Sequence, residues 1–319
     1  MSAGDGFANK RNALVLAGGD GTRLAALTEH ISGRSVPKQF CPIISSQTLL
    51  ELTWNRVTLG IDPARTLTSV TKSHEPFYDR LSSDRPLAVQ PSNRGTAPAI
   101  LYGLLKLWLM FGDTTVVIFP SDHYISDDVA FMRYVDIACS AVEETPQIVA
   151  ILGFEADRLE TQYGWIEPGE PLMVGLSGKP LLTVRRFWEK PPFALANELC
   201  CRGCLWNNFV LMGRLSTLLK LIARTLPEVY RSFMRIVVEL GTEHESAAID
   251  ALYSELPLAN FSEAVMAASP RQLAVLPVSG LDWNDLGEPE RVFATLSRAG
   301  FRPEWVRHLP TAEAVTFQR

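Results

Sequence analysis

An apolar run that breaks abruptly into glycines constrains the fold of this chain more than any other stretch. Residues 13–17 read ALVLA, and residues 18–23 read GGDGTR. An apolar run that ends in glycines is typical of a buried strand leading into a tight loop. Glycines let the backbone turn without a side-chain clash, so that several N–H groups can point at one anion. The stretch therefore predicts a phosphate-binding loop, to which Arg23 and Lys38 add positive charge.

Strand and helix patterns alternate through the first half of the chain. The predicted strands are apolar or β-branched and span residues 13–17, 66–71, 86–90, 114–119 and 147–154. The predicted helices have apolar residues at helical spacing and span residues 47–59, 75–81, 96–111 and 129–144. This alternation predicts an α/β fold with a Rossmann-like, mostly parallel sheet covered by helices on both faces. Ligands bind such sheets beyond the carboxyl ends of the strands, where the glycine loop and residues 120–124 fall.

The pattern changes from Tyr163 onward. Short strands are predicted at residues 164–167, 182–189, 204–212 and 272–277, with a final helix at 288–298. A helical region from residue 215 to 268 is interrupted at Pro227, Gly241 and Pro257. We find no internal repeat or linker. We therefore interpret residues 8–300 as one domain with a substrate-binding insertion in its second half, followed by a tail of residues 301–319.

Charge and hydropathy exclude two classes of partner. A net charge of −5 at pH 7 argues against a general nucleic-acid binder, because such proteins usually carry a basic face. No window of the sequence reaches the length of a membrane span, and residues 1–11 contain no apolar signal core. We expect no nucleic-acid partner, no membrane partner and a cytoplasmic location. The cysteine cluster CCRGC at residues 200–204 has no second Cys or His pair at ligand spacing nearby. We therefore expect thiols without a chemical role rather than a metal site.

The glycine loop fits neither of the two common phosphate-binding templates. It lacks the lysine of a Walker A loop and the third glycine of the dinucleotide fingerprint. Instead, LAGGDGTRL at residues 16–24 and PKQF at 37–40 resemble the signature of sugar-1-phosphate nucleotidyltransferases. PKQF is particularly similar to the mannose-1-phosphate guanylyltransferases of that family. Further matching motifs follow in the family's order: QPSNRGTAPAI from Gln90, FPSDH from Phe119, TQYGWIEPG from Thr161, FWEKPP from Phe187, LWNNFV from Leu205 and DWNDLG from Asp282.

The resemblance implies a Mg²⁺-dependent enzyme in which residues 8–300 form the catalytic domain and the insertion binds the sugar. Its partners would be GTP, or another nucleoside triphosphate, and a sugar 1-phosphate; a homo-oligomer is compatible with the sequence. The products would be a nucleoside diphosphate sugar and pyrophosphate. An oxygen of the sugar phosphate attacks the α-phosphorus in line, so the protein contributes mostly positioning and charge neutralisation.

The resemblance also assigns the nucleotide site. Arg23 would brace the triphosphate and stabilise the leaving pyrophosphate, and Lys38 would neutralise the phosphates at the reacting centre. The implied nucleotide-binding residues are Ala17, Gly18, Gly19, Gly21, Thr22, Gln90, Gly95 and Thr96.

Two carboxylates, Asp122 and Asp285, are the implied magnesium ligands, since Mg²⁺ prefers hard oxygen ligands that also bridge to phosphates. Asp122 also counts among the catalytic residues. Both have an alternative interpretation as helix caps or turn residues, and the family spacing favours Asp285 over its neighbour Asp282. The implied sugar-phosphate site comprises Tyr163, Gly164, Glu189, Lys190 and Asn207.

The base-reading positions depart from the usual guanylyltransferase pattern. Gln90 stands where glutamate is commoner, and RGTAPA at residues 94–99 stands where RNTAPA is commoner. A carboxylate accepts the N–H donors of guanine better than an amide does. This departure weakens the guanine assignment, but PKQF and PSDH favour mannose, so guanylyl transfer to mannose 1-phosphate is the first hypothesis. Glucose-1-phosphate thymidylyl transfer and a catalytically silent, nucleotide-sugar-binding regulatory subunit remain the alternatives.

Overall fold

A computed structural model describes residues 11–81, 85–174 and 180–308 of the chain. Its strands are β1 (Arg11–Leu16), β2 (Thr66–Thr71), β3 (Leu87–Gln90), β4 (Thr115–Pro120), β5 (Tyr124–Ile125), β6 (Val149–Glu155), β7 (Gly164–Val174), β8 (Pro180–Glu189), β9 (Leu205–Arg214), β10 (Leu273–Val278) and β11 (Trp283–Asn284). Its α-helices are α1 (Ala25–Ser32), α2 (Leu49–Thr58), α3 (Glu75–Tyr78), α4 (Thr96–Phe111), α5 (Asp128–Glu144), α6 (Phe193–Cys201), α7 (Leu215–Thr225), α8 (Pro227–Ile236), α9 (Glu245–Glu255) and α10 (Pro289–Ala299).

Nine strands of the described residues form one sheet in the order β3-β2-β1-β4-β9-β6-β10-β8-β7. The first four strands of the chain pair in parallel, as do β6 and β10. The strand β9 is inserted antiparallel between β4 and β6, and β8 and β7 continue the sheet antiparallel beyond β10. The predicted α/β class with a mostly parallel sheet is confirmed. The reversed direction of β9 was not predicted, because an apolar strand has the same pattern in either direction.

Each face of the sheet carries its own hydrophobic core. Along β1, Ala13 and Val15 pack into one core and Leu14 packs into the other, as the alternation of side chains along a strand requires. Helices α2, α5, α6 and α10 contribute to the first core, and α4, α7, α8 and α9 contribute to the second. Burial on both faces explains why the strands read as nearly continuous apolar runs.

Helix α4 has the predicted bounds and positions one wall of the site. Pro98 lies in its first turn, where a missing N–H costs no intrahelical hydrogen bond. Gly103 lets the helix cross β1 closely, since a Cβ there would lie 2.5 Å from Cδ1 of Leu14. The N-terminus of α4 is thereby held beside the carboxyl ends of the parallel strands.

Several elements differ from the sequence-based expectations. The helices α1 and α6 and the short strands β5 and β11 were not predicted, and β7 continues to Val174 instead of ending near residue 167. In the predicted tail, residues 304–308 form a 3₁₀-helix, and Nε1 of Trp305 donates to the carbonyl of Ile43 at 3.0 Å. Residues 309–319 of that tail, and residues 8–10 of the predicted domain, lie outside the described residues. Within the described ranges, no helix combines the length and apolarity needed to cross a membrane.

Candidate active site

A cleft of about 470 Å³ opens beyond the carboxyl ends of β1, β3 and β4. Its lining includes these predicted site residues: Gly18, Gly19, Gln90, Gly95, Thr96, Asp122, Tyr163, Gly164, Glu189, Asn207 and Asp285. The other predicted residues, namely Ala17, Gly21, Thr22, Arg23, Lys38 and Lys190, are not part of this lining. The cleft thus brings residues of the predicted nucleotide, metal and sugar-phosphate sets to one place.

Two glycines of the loop are required by their surroundings. The φ angle of Gly21 is +61°, and a Cβ there would lie 2.9 Å from the backbone nitrogen of Lys38. A Cβ on Gly18 would lie 2.9 Å from both Nε2 of Gln90 and Oγ1 of Thr71. Gly19 has no neighbour within 4 Å of the corresponding position, so its surroundings leave room for a side chain.

The loop is braced by side chains that the sequence did not assign to the site. Nε2 of Gln39 donates to the carbonyls of Ala17 and Gly19, both at 2.8 Å, and Gln39 is almost fully buried. Oγ1 of Thr71 donates to the carbonyl of Gly18 at 2.9 Å. Because these bonds use carbonyl oxygens, they fix the loop and leave its N–H groups available to an anion.

A small second sheet brings the two predicted metal ligands together. Strand β5 pairs with β11, so that Asn284 lies opposite Tyr124 and the neighbouring Asp122 and Asp285 approach each other. The buried Nζ of Lys38 lies 2.8 Å from Oδ2 of Asp122 and 2.5 Å from the carbonyl oxygen of Asp285. One ammonium group therefore holds both acidic segments.

Asp122 is kept ionised by its neighbours. Burial raises its pKa, but the charge of Lys38 and the hydrogen bond from its ammonium group outweigh burial, and the resulting pKa is below the usual value. Nδ1 of His123 accepts a hydrogen bond from Nε1 of Trp283 at 3.1 Å, which places the imidazole proton on Nε2, 3.5 Å from Oδ1 of Asp122. Burial lowers the pKa of His123 and favours this neutral form.

The two carboxylate oxygens of Asp285 differ in the hydrogen bonds that they accept. Its Oδ1 accepts from the backbone N–H of Gly287 at 2.9 Å, from Nη1 of Arg291 at 2.9 Å and from the hydroxyl of Tyr163 at 3.3 Å. Burial and the charge of Asp285 raise the pKa of Tyr163 to about 12, so its hydroxyl remains a donor. Within the described ranges, nothing donates to Oδ2.

The donor set fits a magnesium ion that is completed by substrate. Within the described ranges, no group of three or more His, Cys, Asp or Glu side chains is arranged to hold a metal. Mg²⁺ keeps several waters and is commonly bound through one or two carboxylates together with substrate phosphates. Asp122 and the open Oδ2 of Asp285 match that pattern.

The opposite wall of the cleft is built around an irregular stretch of β9. The pairing of β9 with β6 shifts register after Asn207, and Phe209 adopts a φ of +63°. Oδ1 of Asn207 accepts the backbone N–H of Phe209 at 3.1 Å. Non-glycine residues in left-handed conformations are uncommon and concentrate at functional sites. Asn207 lines the cleft at the start of this irregular stretch.

Glu189 and Lys190 lie at the end of β8. Burial raises the pKa of Glu189, and its Oε2 would lie 3.1 Å from a Cβ on Gly164, which leaves no room for a larger residue there. Lys190 has a φ of +45°, and its Nζ lies 4.0 Å from Oε1 of Glu189. The side chain of Lys190 is half exposed.

Arg23 is exposed to a similar degree, and its Nη1 lies 3.9 Å from Oε1 of Glu288, next to the Asp285 segment.

Gly95 and Thr96 are engaged with the segment that follows α9. Gly95 has a φ of +86°, and a Cβ there would lie 2.4 Å from the carbonyl oxygen of Ala259. Oγ1 of Thr96 accepts the backbone N–H of Phe261 at 2.8 Å. Asparagine at position 95 would therefore clash with Ala259. This clash is a packing reason for RGTAPA in place of the commoner RNTAPA.

A family model described as "Nucleotidyl transferase" matches residues 12–298. The chain belongs to this family. The predicted resemblance to sugar-1-phosphate nucleotidyltransferases is confirmed, and this nucleotidyl transferase is similar to several curated proteins. It is 28% identical over 283 residues to the xanthan biosynthesis protein XanB of Xanthomonas campestris pv. campestris strain B100, covering 86% of the chain and 57% of XanB. It is 29% identical to the alginate biosynthesis protein AlgA of Pseudomonas aeruginosa, with 86% and 56% coverage.

A protein of Escherichia coli named mannose-1-phosphate guanylyltransferase is 25% identical, with 86% of this chain and 57% of that protein covered. The nucleotidyl transferase thus spans just over half the length of these curated relatives. Among solved structures, one described as mannose-1-phosphate geranyltransferase from Thermus thermophilus matches with a TM-score of 0.76 and 29% identity, covering 92% of this chain and 80% of that one.

Besides Thr71, three residues of the nucleotidyl transferase site were missed from the sequence: Gln39, Arg291 and Tyr253. Gln39 stands inside the quoted PKQF motif, so its position was available although its role was not. Arg291 in α10 contacts Asp285, and Tyr253 in α9 donates a hydrogen bond to Gln90. Neither residue belongs to a recognisable motif. Only the fold brings these two residues to the cleft.

Proposed function

We propose that this nucleotidyl transferase makes GDP-mannose and pyrophosphate from GTP and mannose 1-phosphate, with Mg²⁺ as cofactor. The observation that carries the proposal is that Lys38, beside one cleft, bonds both the carboxylate of Asp122 and the backbone carbonyl of Asp285. We refer to the glycine loop, Lys38 and Gln90 as the nucleotide end of the cleft, and to Glu189, Lys190 and Asn207 as its sugar end. Such a cleft is suited to two anionic substrates that react at its centre.

The reaction is a direct displacement. A phosphate oxygen of mannose 1-phosphate forms a bond to the α-phosphorus of GTP, while the bond from the α-phosphorus to the bridging oxygen breaks and pyrophosphate leaves. The proposal needs no covalent enzyme intermediate. The catalytic task is to bring two polyanions together and to offset their repulsion.

The nucleotide-binding half would act through backbone and fixed charge. The N–H groups of the loop, braced from behind by Gln39, would cradle the triphosphate. Arg23, which is half exposed beside the Asp285 segment, would turn toward the leaving pyrophosphate. Lys38 would hold the carboxylate of Asp122 and the backbone of Asp285 in place and offset the phosphate charge at the reacting centre.

Asp122 and Asp285 would hold Mg²⁺ when substrate is bound. The ion would supply Lewis-acid polarisation and charge neutralisation at the phosphates. Arg291 and Tyr163 would keep Asp285 oriented through Oδ1, leaving Oδ2 to the metal. Outer contacts of this kind commonly change metal affinity or activity about 10–100-fold when they are removed.

The sugar-binding half would use polar groups at the ends of β8 and β9. Lys190 would neutralise the sugar phosphate, and Glu189 and Asn207 would bond the hydroxyls. The choice of mannose and guanine is supported by the PKQF motif and by the name of the relative from E. coli. A cytoplasmic location is proposed with it, in keeping with nucleotide substrates.

A second candidate is thymidylyl transfer to glucose 1-phosphate. Gln90 favours it, because an amide in place of a carboxylate is less suited to the N–H donors of guanine. A silent regulatory subunit is less well supported, since the charged residues that the chemistry needs are all present.

The test is to incubate the purified protein with GTP, mannose 1-phosphate and Mg²⁺ and to quantify GDP-mannose and pyrophosphate. Equal amounts of the two products, abolished by a chelator and restored by added Mg²⁺, are expected. If neither product forms under these conditions, the proposed function is wrong. Nucleotide-sugar binding that survives Asp285→Ala, without turnover, would support the silent subunit instead.

A further inference from the structure

The side-chain amide of Gln90 has both of its polar atoms bonded to protein. Gln90 ends β3 and is only 2% exposed, although it lines the cleft. Its Nε2 donates to Oγ of Ser69 at 3.0 Å, and its Oε1 accepts from the hydroxyl of Tyr253 at 3.1 Å. The amide therefore cannot present both its oxygen and its nitrogen freely to a ligand.

Tyr253 determines which way the amide points. It lies on α9 and is 1% exposed, and Gln90 is the only hydrogen-bond partner of its hydroxyl in the part of the chain that the structure describes. A buried phenol must donate its proton, since an unsatisfied donor costs about 1–3 kcal/mol. Burial raises the pKa of Tyr253, so the proton is retained at ordinary pH. The atom that faces Tyr253 must therefore be the amide oxygen.

Ser69 does not make that choice. A serine hydroxyl can accept from Nε2 or donate to Oε1, so either orientation of the amide would satisfy it. Tyr253 is itself held firmly. Nε of Arg94 donates to the carbonyl of Tyr253 at 2.9 Å, and the ring of Phe233 packs against its ring with an interplanar angle of 83°.

One N–H of the amide remains for a ligand. Nε2 has a second proton, and residues 11–81, 85–174 and 180–308 supply no further acceptor for it. Gly18 keeps the adjacent space free, because a Cβ there would lie 2.9 Å from Nε2. Toward the cleft, Gln90 is therefore a hydrogen-bond donor.

We propose that Tyr253 is a positioning residue that fixes Gln90 as a donor toward the base and so sets which class of base the site accepts. Guanine, thymine and uracil present a carbonyl oxygen at the position where adenine and cytosine present an amino group. The first class accepts from the N–H of Gln90, whereas the amino group of the second opposes it. The inference rests on the proposed function only in placing the base of a nucleoside triphosphate at Gln90.

The experiment measures Kd for GTP and ATP by calorimetry in the presence of Mg²⁺, so that it is independent of turnover. Wild-type protein is expected to prefer GTP. In Tyr253→Phe, the amide of Gln90 can rotate so that its oxygen and nitrogen exchange places. The preference for GTP over ATP should then fall at least about tenfold, as expected when a buried polar group loses its partner. Tyr102→Phe is the matched control, because the hydroxyl of Tyr102 bonds Glu245 at the other end of α9.

A second variant keeps the test decisive if Tyr253→Phe does not fold. Gln90→Met removes the donor that faces the cleft and puts no acceptor in its place, so the same ratio should fall. The double variant should show no further change, because both substitutions remove one function.

An unchanged ratio in Tyr253→Phe, or an equal change in Tyr102→Phe, overturns the inference. Failure of wild-type protein to bind any nucleoside triphosphate overturns both this inference and the proposed function. A shifted ratio in protein that releases no pyrophosphate supports the inference and contradicts the proposed function alone.

Discussion

Lys38 and Lys190, at the nucleotide end and the sugar end of the cleft, are held in different ways. At the nucleotide end, Lys38 is nearly fully buried and bonds two acidic segments, and Gln90 is buried between two hydroxyls. At the sugar end, the side chain of Lys190 is half exposed, and Nζ lies 4.0 Å from its nearest carboxylate oxygen.

The difference separates preorganised groups from adjustable ones. A buried cation in a fixed bond acts at full strength because little reorganisation is needed when charge develops. An exposed cation is screened by solvent and gains less from each contact. We therefore expect substitution of Lys38 to affect the chemical step and substitution of Lys190 to affect mainly substrate binding.

The largest effect is expected for Lys38→Met. Removing a preorganised charge at a reacting centre typically lowers the rate by about 10²–10³-fold. Without Lys38, burial dominates the pKa of Asp122 and raises it, so Asp122 protonates at a higher pH and the acid limb of the activity profile shifts upward. Steady-state rates of pyrophosphate release against pH measure both effects.

Lys106→Met is the matched control for this prediction, because Lys106 forms a similar ion pair with Glu245 away from the cleft. Equal losses in the two variants would show that Lys38 acts only through stability.

The next effect separates two neighbouring carboxylates. Asp285→Asn should reduce kcat/KM roughly a hundredfold and raise the Mg²⁺ concentration needed for half-maximal rate, because it weakens the proposed magnesium ligand. Asp282 is half exposed and lies 3.5 Å from Arg298, so Asp282→Asn should change neither quantity more than about twofold. A Mg²⁺ titration of both variants measures these effects. A larger effect for Asp282→Asn than for Asp285→Asn would place the metal ligand at residue 282.

A third prediction concerns the close approach at the nucleotide end. Gly95→Ala should lower the free energy of unfolding by roughly 2 kcal/mol, because it adds both an unfavourable φ and a clash with Ala259. Gly203→Ala isolates the first of these causes, since its φ is +69° and no atom lies within 4 Å of the added Cβ. Denaturant unfolding of both variants gives the comparison, and equal losses would mean that the approach to Ala259 contributes nothing.

The smallest effect is expected at the sugar end. Lys190→Ala should raise KM for mannose 1-phosphate about three- to tenfold and leave kcat nearly unchanged, because a half-exposed charge contributes modestly. Arg185→Ala is the control, since Arg185 is equally exposed on the same strand and pairs with Glu170. A large loss of kcat in Lys190→Ala would contradict the division between the two ends.

Local patterns were sufficient for much of the fold. The apolar run before Gly18, the bounds of α4 and the parallel strands of the first half follow from periodicity and turn residues. The antiparallel insertion of β9 does not, because strand order depends on which edges meet in three dimensions. The register shift after Asn207, with Phe209 left-handed, likewise depends on packing against β6.

The site was predictable to the extent that its residues stand in motifs. Asp122 and Asp285 lie 163 positions apart, and only the pairing of β5 with β11 shows how they meet. Arg291 and Tyr253 stand outside every motif and reach the cleft from helices. A sequence shows which residues have the right chemistry, whereas the fold shows which residues restrain them.

Pyrophosphate release across a matrix of nucleoside triphosphates and sugar 1-phosphates tests the central claim most directly. The account predicts that release requires both substrates and Mg²⁺, is fastest with GTP and mannose 1-phosphate, and favours GTP, dTTP and UTP over ATP and CTP. Release with no sugar phosphate present, or no release from any pair, would contradict it.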